Sequence, residues 1–281
     1  MNLSDINTLK SLLNKNGFSF KKSLGQNFLI DSSVCPAMAE AACESNTGVL
    51  EIGPGIGVLT YELSKKAKKV VAIELDERLK KLLPITLADC ENVEIIYGDA
   101  MKLDLKQIIE EHFADCDSIC VCANLPYYIT SPIVMMLLES RLPIKSITVM
   151  VQLEAAERLC AKVGTRESGA VTVAVNYYAE SEILFQVGRE SFMPSPNVDS
   201  AVIQLKIREK PPIEVKDEKK FFAFTKACFS QRRKTLLNTV SNTLKIDKNA
   251  LRDTLKQMGL SETVRGEELN MEQLAAIADS L

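Results

Sequence analysis

The sequence predicts an α/β fold built on a parallel sheet, followed by a small all-helical domain. Three observations carry that expectation. Runs that are apolar throughout alternate with helix-like segments from residue 48 to about 150. Strands of this kind are buried on both faces, so helices must cover each side of a parallel sheet. A charged stretch with paired prolines at 208–216, "REKPPIEVK", breaks the pattern, and beyond it the apolar spacing is helical.

Taken in order, the opening "MNLSDINTLKSLLNKNG" reads as an amphipathic helix with Leu3, Ile6, Leu9, Leu12 and Leu13 near one face. It lacks the basic start and apolar block of a secretory signal, and no apolar run approaches a membrane span. Strands are expected at "GVLEIG" (48–53), "KVVAIEL" (69–75), "NVEIIYG" (92–98), "SICVCAN" (118–124) and "SITVMVQ" (146–152), with helices such as "VLTYELSKKA" and "SPIVMMLLES" between them. Two later strands are expected at "AVTVAVNYY" (170–178) and "SAVIQLKI" (200–207). The last alternates, as an edge or antiparallel strand would. The linker suggests domains over 1–208 and 209–281. The second should hold one helix over "EKKFFAFTKACFSQRRKTLLNTV", another over "KNALRDTLKQMG" and a third over "MEQLAAIADSL". Asp247 and Asn270 are the expected caps, Gly259 the expected stop, and Gln273 occupies a capping-box position.

Composition is that of an ordinary soluble globular protein, at 46% hydrophobic and 25% charged residues. The net charge of −3 argues against nucleic acid in bulk. Residues 201–240, however, hold ten Lys or Arg against four Asp or Glu, a local +6, and include "SQRRK" at 230–234. Such a run is commonly a solvated helix face; it is also the footprint of an RNA-binding surface. The eight cysteines lie mostly among apolar residues and the chain has one histidine. That pattern predicts buried thiols in a reducing cytoplasm, with no disulfides and no metal site.

The chemistry is concentrated at strand ends. Glu51-Ile52-Gly53-Pro54-Gly55-Ile56-Gly57 leaves the first strand and opens a helix. Glycines there let the backbone approach a ligand and expose N–H groups. The spacing departs from the dinucleotide fingerprint, because the third glycine comes one residue early. The carboxylate of Glu51 repels a pyrophosphate and suits a cation. Glu74 ends the second strand, where an acid can accept both hydroxyls of a ribose. Asp99 ends the third and can accept from the amine of an adenine ring. Three acids on one rim suggest a nucleoside with positive charge, and S-adenosylmethionine, a sulfonium, fits.

The fourth strand ends in Asn124-Leu125-Pro126-Tyr127-Tyr128. Leu125 precedes proline and is therefore extended. The Asn124 side chain and the Pro126 carbonyl offer two acceptors, and Tyr127 offers a flat face. Together they describe a clamp for a planar amine. A base amine is weakly nucleophilic, and two accepted hydrogen bonds would pyramidalise its nitrogen and aim the lone pair. Phe192, in "ESFMPSPNVDSAV", could close the other face of a flipped base or pack in the core. Tyr128 carries no assigned role.

"KKSLGQNFLID" (21–31), "VLEIGPGIGVLT" (49–60), "NLPYYITSPI" (124–133), "FMPSPNVDSAV" (192–202) and "FSQRRKTLLN" (229–238) resemble the ribosomal RNA adenine N6-dimethyltransferases, over nearly the whole chain. The resemblance implies a class I S-adenosylmethionine-dependent methyltransferase domain, Rossmann-like with a mostly parallel seven-stranded sheet, and a small helical C-terminal domain. It implies two methyl groups on each of two adjacent adenosines in the 3′-terminal hairpin of 16S rRNA, on a monomeric enzyme acting within an assembling small subunit. It places Asn27, Leu29, Gly53, Glu74, Asp99 and Asn124 at the cofactor. It places Asn124, Pro126, Tyr127 and Phe192 at the target base, and Arg232, Arg233 and Lys234 near the RNA. In one place the chain departs from the family's Tyr-Gly-x-Leu-Ser, reading Ser168-Gly169-Ala170-Val171-Thr172, and loses the aromatic. The alternatives are a resistance-type enzyme acting on large-subunit rRNA, a non-catalytic assembly factor, and, weakest, a dinucleotide oxidoreductase.

Overall fold

The computed structural model describes residues 5–15 and 28–281. The chain runs α1 (Ile6–Lys15), β1 (Phe28–Leu29), α2 (Val34–Ala42), β2 (Thr47–Ile52), α3 (Val58–Ser64), β3 (Lys69–Glu74), α4 (Leu83–Thr86), β4 (Val93–Tyr97) and α5 (Leu105–His112). It continues through β5 (Ser118–Asn124), α6 (Thr130–Glu139), β6 (Ser146–Gln152), α7 (Leu153–Leu159), α8 (Ala170–Tyr178), β7 (Ala179–Val187), β8 (Phe192–Met193) and β9 (Ser200–Ile207). Four helices follow: α9 (Glu218–Cys228), α10 (Leu236–Leu244), α11 (Lys248–Gln257) and α12 (Met271–Ser280).

Seven strands form one sheet in the order β4-β3-β2-β5-β6-β9-β7. The five expected first are all present, and β2 to β6 pair in parallel. All six residues of β2 are buried, as a strand covered on both faces requires. The chain starts at β2, steps outward to β3 and β4, then returns to β5 on the other side. That reversal opens a crevice at the carboxyl ends of β2 and β5, where open α/β sheets take ligands. Register aligns Ile52 with Ala123, so Gly53 and Asn124 leave the sheet side by side. β9 is antiparallel to β6, with Ser146 opposite Lys206 and Gln152 opposite Ser200. It lies inside the sheet, and its first six residues are all buried, so it is not an edge. The edge is β7, whose charged "AESEIL" conceals a strand that apolar runs do not reveal.

Contacts divide the chain into two compact units, Met1–Ala156 with Glu182–Ile207, and Glu157–Ser181 with Arg208–Leu281. The second unit thus includes 157–181, ahead of the proline linker.

Two expectations fail within that second unit. Residues 170–178 form the helix α8, not a strand. β-branched Val171, Thr172, Val173 and Val175 favour a strand by propensity, but packing overrides propensity. The Gly169 N–H donates to Thr172 Oγ1 at 2.9 Å to start the helix. At its end Tyr177 and Tyr178 pack against Phe222, each with 5.3 Å between ring centroids. The long helix expected over 218–240 is instead two. α9 stops at Cys228, and Thr235 restarts the helix by accepting the Asn238 N–H. The caps at Asp247 and Asn270 form as expected, the latter with Gln273 in a full capping box. Gly259 has φ +68°, consistent with a helix stop.

Candidate active site

A cavity of about 380 Å3 opens at the carboxyl ends of β2 to β5, within the range of about 300–1,000 Å3 that ligand sites occupy. Leu29, Gly53, Glu74, Asp99, Asn124, Pro126, Tyr127 and Phe192 all line it. Asn27 lies outside the described residues.

The glycine loop is turned inward. Gly53 and Gly57 have φ of +73° and +91°, and a Cβ at Gly57 would meet Leu87 at 3.0 Å, so side chains are excluded on both counts. The three glycine amides of the loop are themselves engaged. Gly53 donates to Ile73 O at 2.9 Å and Gly57 to Pro54 O at 2.9 Å. Gly55 donates to Glu74 Oε2 at 3.0 Å. With these amides occupied, the loop offers a phosphate little.

Glu74 receives a second bond from the Asp76 N–H at 2.7 Å. Two of about four acceptor sites remain on its carboxylate. Burial raises its pKa above the ordinary carboxylate value, against the pull of the Asp76 and Gly55 amides. Asp99 accepts the Met101 N–H at 3.0 Å and pairs with Lys102 at 3.3 Å, so it closes a turn as well as lining the cavity.

Glu51 is the most unusual group. It is 1% exposed, and among the described residues neither carboxylate oxygen has a hydrogen-bond partner; the buried Thr60 hydroxyl also lacks one there. Burial pushes its carboxyl up to about 8, and the Glu74 charge adds to the rise. Thr60 pulls it down without reaching hydrogen-bond geometry. A buried charge without a partner is costly, and Glu51 lines the cavity.

The β5 exit turn is a 3-10 segment, Tyr127–Ile129. The Tyr127 hydroxyl and Ser200 Oγ lie 2.8 Å apart, which locks the ring against β9. Burial raises the Tyr127 pKa above its ordinary value, so this phenol stays protonated at neutral pH. The Pro126 carbonyl is already engaged, accepting the Ile129 N–H at 3.1 Å and the Thr130 hydroxyl at 3.3 Å. Sequence gives no sign of this, because it depends on how the turn closes.

Phe192 is 4% exposed and packs in a hydrophobic cluster with Leu29, Met38 and Val202. It forms wall rather than lid. A two-residue ribbon pairs it with Leu29, a strand pair too short for any periodicity to register. Leu75, Asp76, Met101 and Tyr128 also line the cavity and were not singled out in the sequence for it.

Arg232, Arg233 and Lys234 are exposed on the turn between α9 and α10. Arg232 Nη2 donates to the Arg166 carbonyl at 2.6 Å. Ser168, where the family aromatic is absent, is buried and donates to Thr165 O at 2.7 Å. All eight cysteines are free, four of them buried. Among the described residues no helix is long and apolar enough to cross a membrane.

Comparison with known proteins is consistent along the chain. The profile of the family described as ribosomal RNA adenine dimethylase matches residues 17–281. Ribosomal RNA small subunit methyltransferase A of Geobacillus thermodenitrificans is 50% identical over 97% of this chain and 94% of its own. That of Bacillus licheniformis is 47% identical over the same shares. Among solved structures, a dimethyladenosine transferase from Plasmodium falciparum superposes with a TM-score of 0.73 at 28% identity, covering 89% of this chain and 95% of its own. The 23S rRNA methyltransferase ErmE superposes at 0.67 and 27% identity, over 90% and 99%.

Proposed function

The chain belongs to the ribosomal RNA adenine dimethylase family, and from that premise we propose how its residues act. It transfers methyl groups to N6 of two adjacent adenosines in the 3′-terminal hairpin of 16S rRNA, giving N6,N6-dimethyladenosine. The observation that carries the choice of subunit is the 47–50% identity, over 97% of the chain, to proteins named for the small subunit. The likeness to a 23S enzyme is at 27%.

The cavity fits S-adenosylmethionine as methyl donor. The glycine amides are engaged within the protein, Glu74 keeps spare acceptor capacity, and Glu51 is a buried carboxylate without a partner. Those features match a cationic nucleoside without phosphate. When bound, S-adenosylmethionine supplies an electrophilic methyl group on sulfur. Glu74 would hold the ribose hydroxyls and Asp99 the adenine edge, and Glu51, its carboxyl pushed up to about 8 without a ligand, would ionise as the cation binds. Leu29 and Phe192 wall the cavity with apolar surface and keep water from the reacting groups.

The target adenine enters beside Asn124. Its exocyclic amine donates to the Asn124 side-chain oxygen. The second acceptor is a carbonyl of the same turn. Pro126 O is committed to Ile129 and Thr130, whereas Leu125 O accepts no bond among the described residues. Two such bonds fix the amine and aim its lone pair, which supplies alignment rather than a strong base. The protonated Tyr127 acts as a held plate, not as a proton acceptor. Arg232, Arg233 and Lys234 contact phosphates and position the RNA without reading bases.

The test is transfer of labelled methyl groups to small subunits lacking the modification. Dimethyladenosine at both positions is expected. Methylation of naked large-subunit rRNA instead would favour the resistance-type activity. Failure to titrate S-adenosylmethionine would sink the cofactor reading.

A further inference from the structure

Six large apolar side chains of the described residues are exposed, and three of them, Leu75, Met101 and Tyr128, surround this one cavity. Exposed apolar groups gathered at a single site mark contact with a ligand or partner. Leu75 and Met101 follow Glu74 and Asp99, on the side of the mouth given to the donor's nucleoside. Tyr128, the most exposed of the three at 58%, follows the amine clamp on the other side.

Tyr128 cannot share a base with Tyr127. The two are consecutive in a 3-10 segment, where successive side chains point roughly 120° apart. Tyr127 is held toward β9 by Ser200, so Tyr128 faces elsewhere. Phe192 is buried in the cavity wall. Among the described residues lining the cavity, Tyr128 is therefore the aromatic face free at the mouth.

We infer that Tyr128 is a stacking platform for the nucleobase next to the adenosine being methylated. The inference rests on the proposed rRNA substrate and extends it. Strand polarity is fixed in the site, so Tyr128 takes the base on one constant side of whichever adenosine is in the clamp, and for one of the two targets that base is the other target. Stacking the outer base on Tyr128 holds the strand in register while the inner base occupies the clamp, and an exposed aromatic plate serves any base.

The experiment uses the full chain and small subunits unmethylated at both positions, beside two sets of particles, each made abasic at a different one of the two positions. Tyr128→Ala should raise KM for the intact particle by roughly 5- to 150-fold, the span that loss of one base–aromatic stack gives. The Kd for S-adenosylmethionine should stay within about twofold. Tyr128→Phe, which keeps the ring, should restore the wild-type KM. On the abasic particle whose lost base is the platform's, wild type should suffer the same rise and Tyr128→Ala should add nothing further; on the other, each enzyme should behave as on the intact particle. A Tyr128→Ala enzyme with wild-type KM would overturn the inference. So would a penalty undiminished on both abasic particles, or one that appears in cofactor Kd. Absence of methylation by wild type would instead overturn the rRNA reading beneath it.

Discussion

Asn124 and Glu51 show how single residues divide the work of this site. Asn124 ends β5, where its side chain makes no hydrogen bond among the described residues and is available to an amine. Asn124→Ala should cut methyl transfer by roughly 100-fold or more, as loss of aligned contacts does, with cofactor Kd changed only a fewfold. Near-normal turnover in single-turnover kinetics would reject the clamp. Glu51 has a carboxyl pushed up to about 8 in the fold against an unfolded value near ~4.3. Below the unfolded value both states are protonated and the stability contribution is fully present. As pH rises toward 8 the unfolded state ionises first, so the unliganded protein loses stability, by up to about 1.4 kcal/mol per pH unit. Binding of a cation favours ionised Glu51, so affinity for S-adenosylmethionine should rise over the same window, with proton release. Denaturation and calorimetric titration between pH 6 and 9, compared with Glu51→Gln, read both slopes; a variant with unchanged slopes would remove Glu51 from this role. Glu74, Asp99 and Asn124 are legible because each stands at or just past the end of an apolar run, and Glu51 because an acid interrupts one. The engaged Pro126 carbonyl and the orphaned Thr60 are not, because both depend on packing distant in sequence.

At the scale of elements, the turn between α9 and α10 matters most. A continuous helix would have spread Gln231, Arg232, Arg233 and Lys234 around its circumference. The break at Thr235 instead collects Arg232, Arg233 and Lys234 on an exposed turn, with Arg232 tied to the Arg166 carbonyl. Replacing Arg233 and Lys234 by Ala should weaken RNA binding at every sequence tested and reduce the log–log salt slope by about 1 per lost contact. Filter binding at several salt concentrations measures it, and an unchanged slope would take these residues off the RNA. α8 teaches the complementary lesson. Its β-branched run reads as strand, yet Tyr177 and Tyr178 gain more by joining Phe221 and Phe222 as consecutive helical residues. Local propensity is worth fractions of a kcal/mol per residue, whereas burying an aromatic is worth several times that.

For the molecule as a whole, ligand choice is a property of the rim. S-adenosylmethionine at about 100 times its Kd should stabilise the protein by about 2.7 kcal/mol, visible as a rise in Tm. A dinucleotide at equal concentration should leave Tm unchanged, because the glycine amides are bonded internally. Equal shifts with both ligands would contradict the reading of the loop.

The sequence alone determined the parallel strands, their order of appearance, the strand-end acids, the turn after β5 and the caps of the last helices. Each is written in short-range pattern: apolar period, glycine spacing, a capping residue three positions ahead of its partner. Only the tertiary structure decided that 170–178 is helical, that β9 lies inside the sheet, that Phe192 is wall and that Tyr128 stands exposed at the mouth. Those outcomes depend on which surfaces meet after folding, and burial energy between segments far apart in the chain outweighs the weak local preferences that a sequence displays.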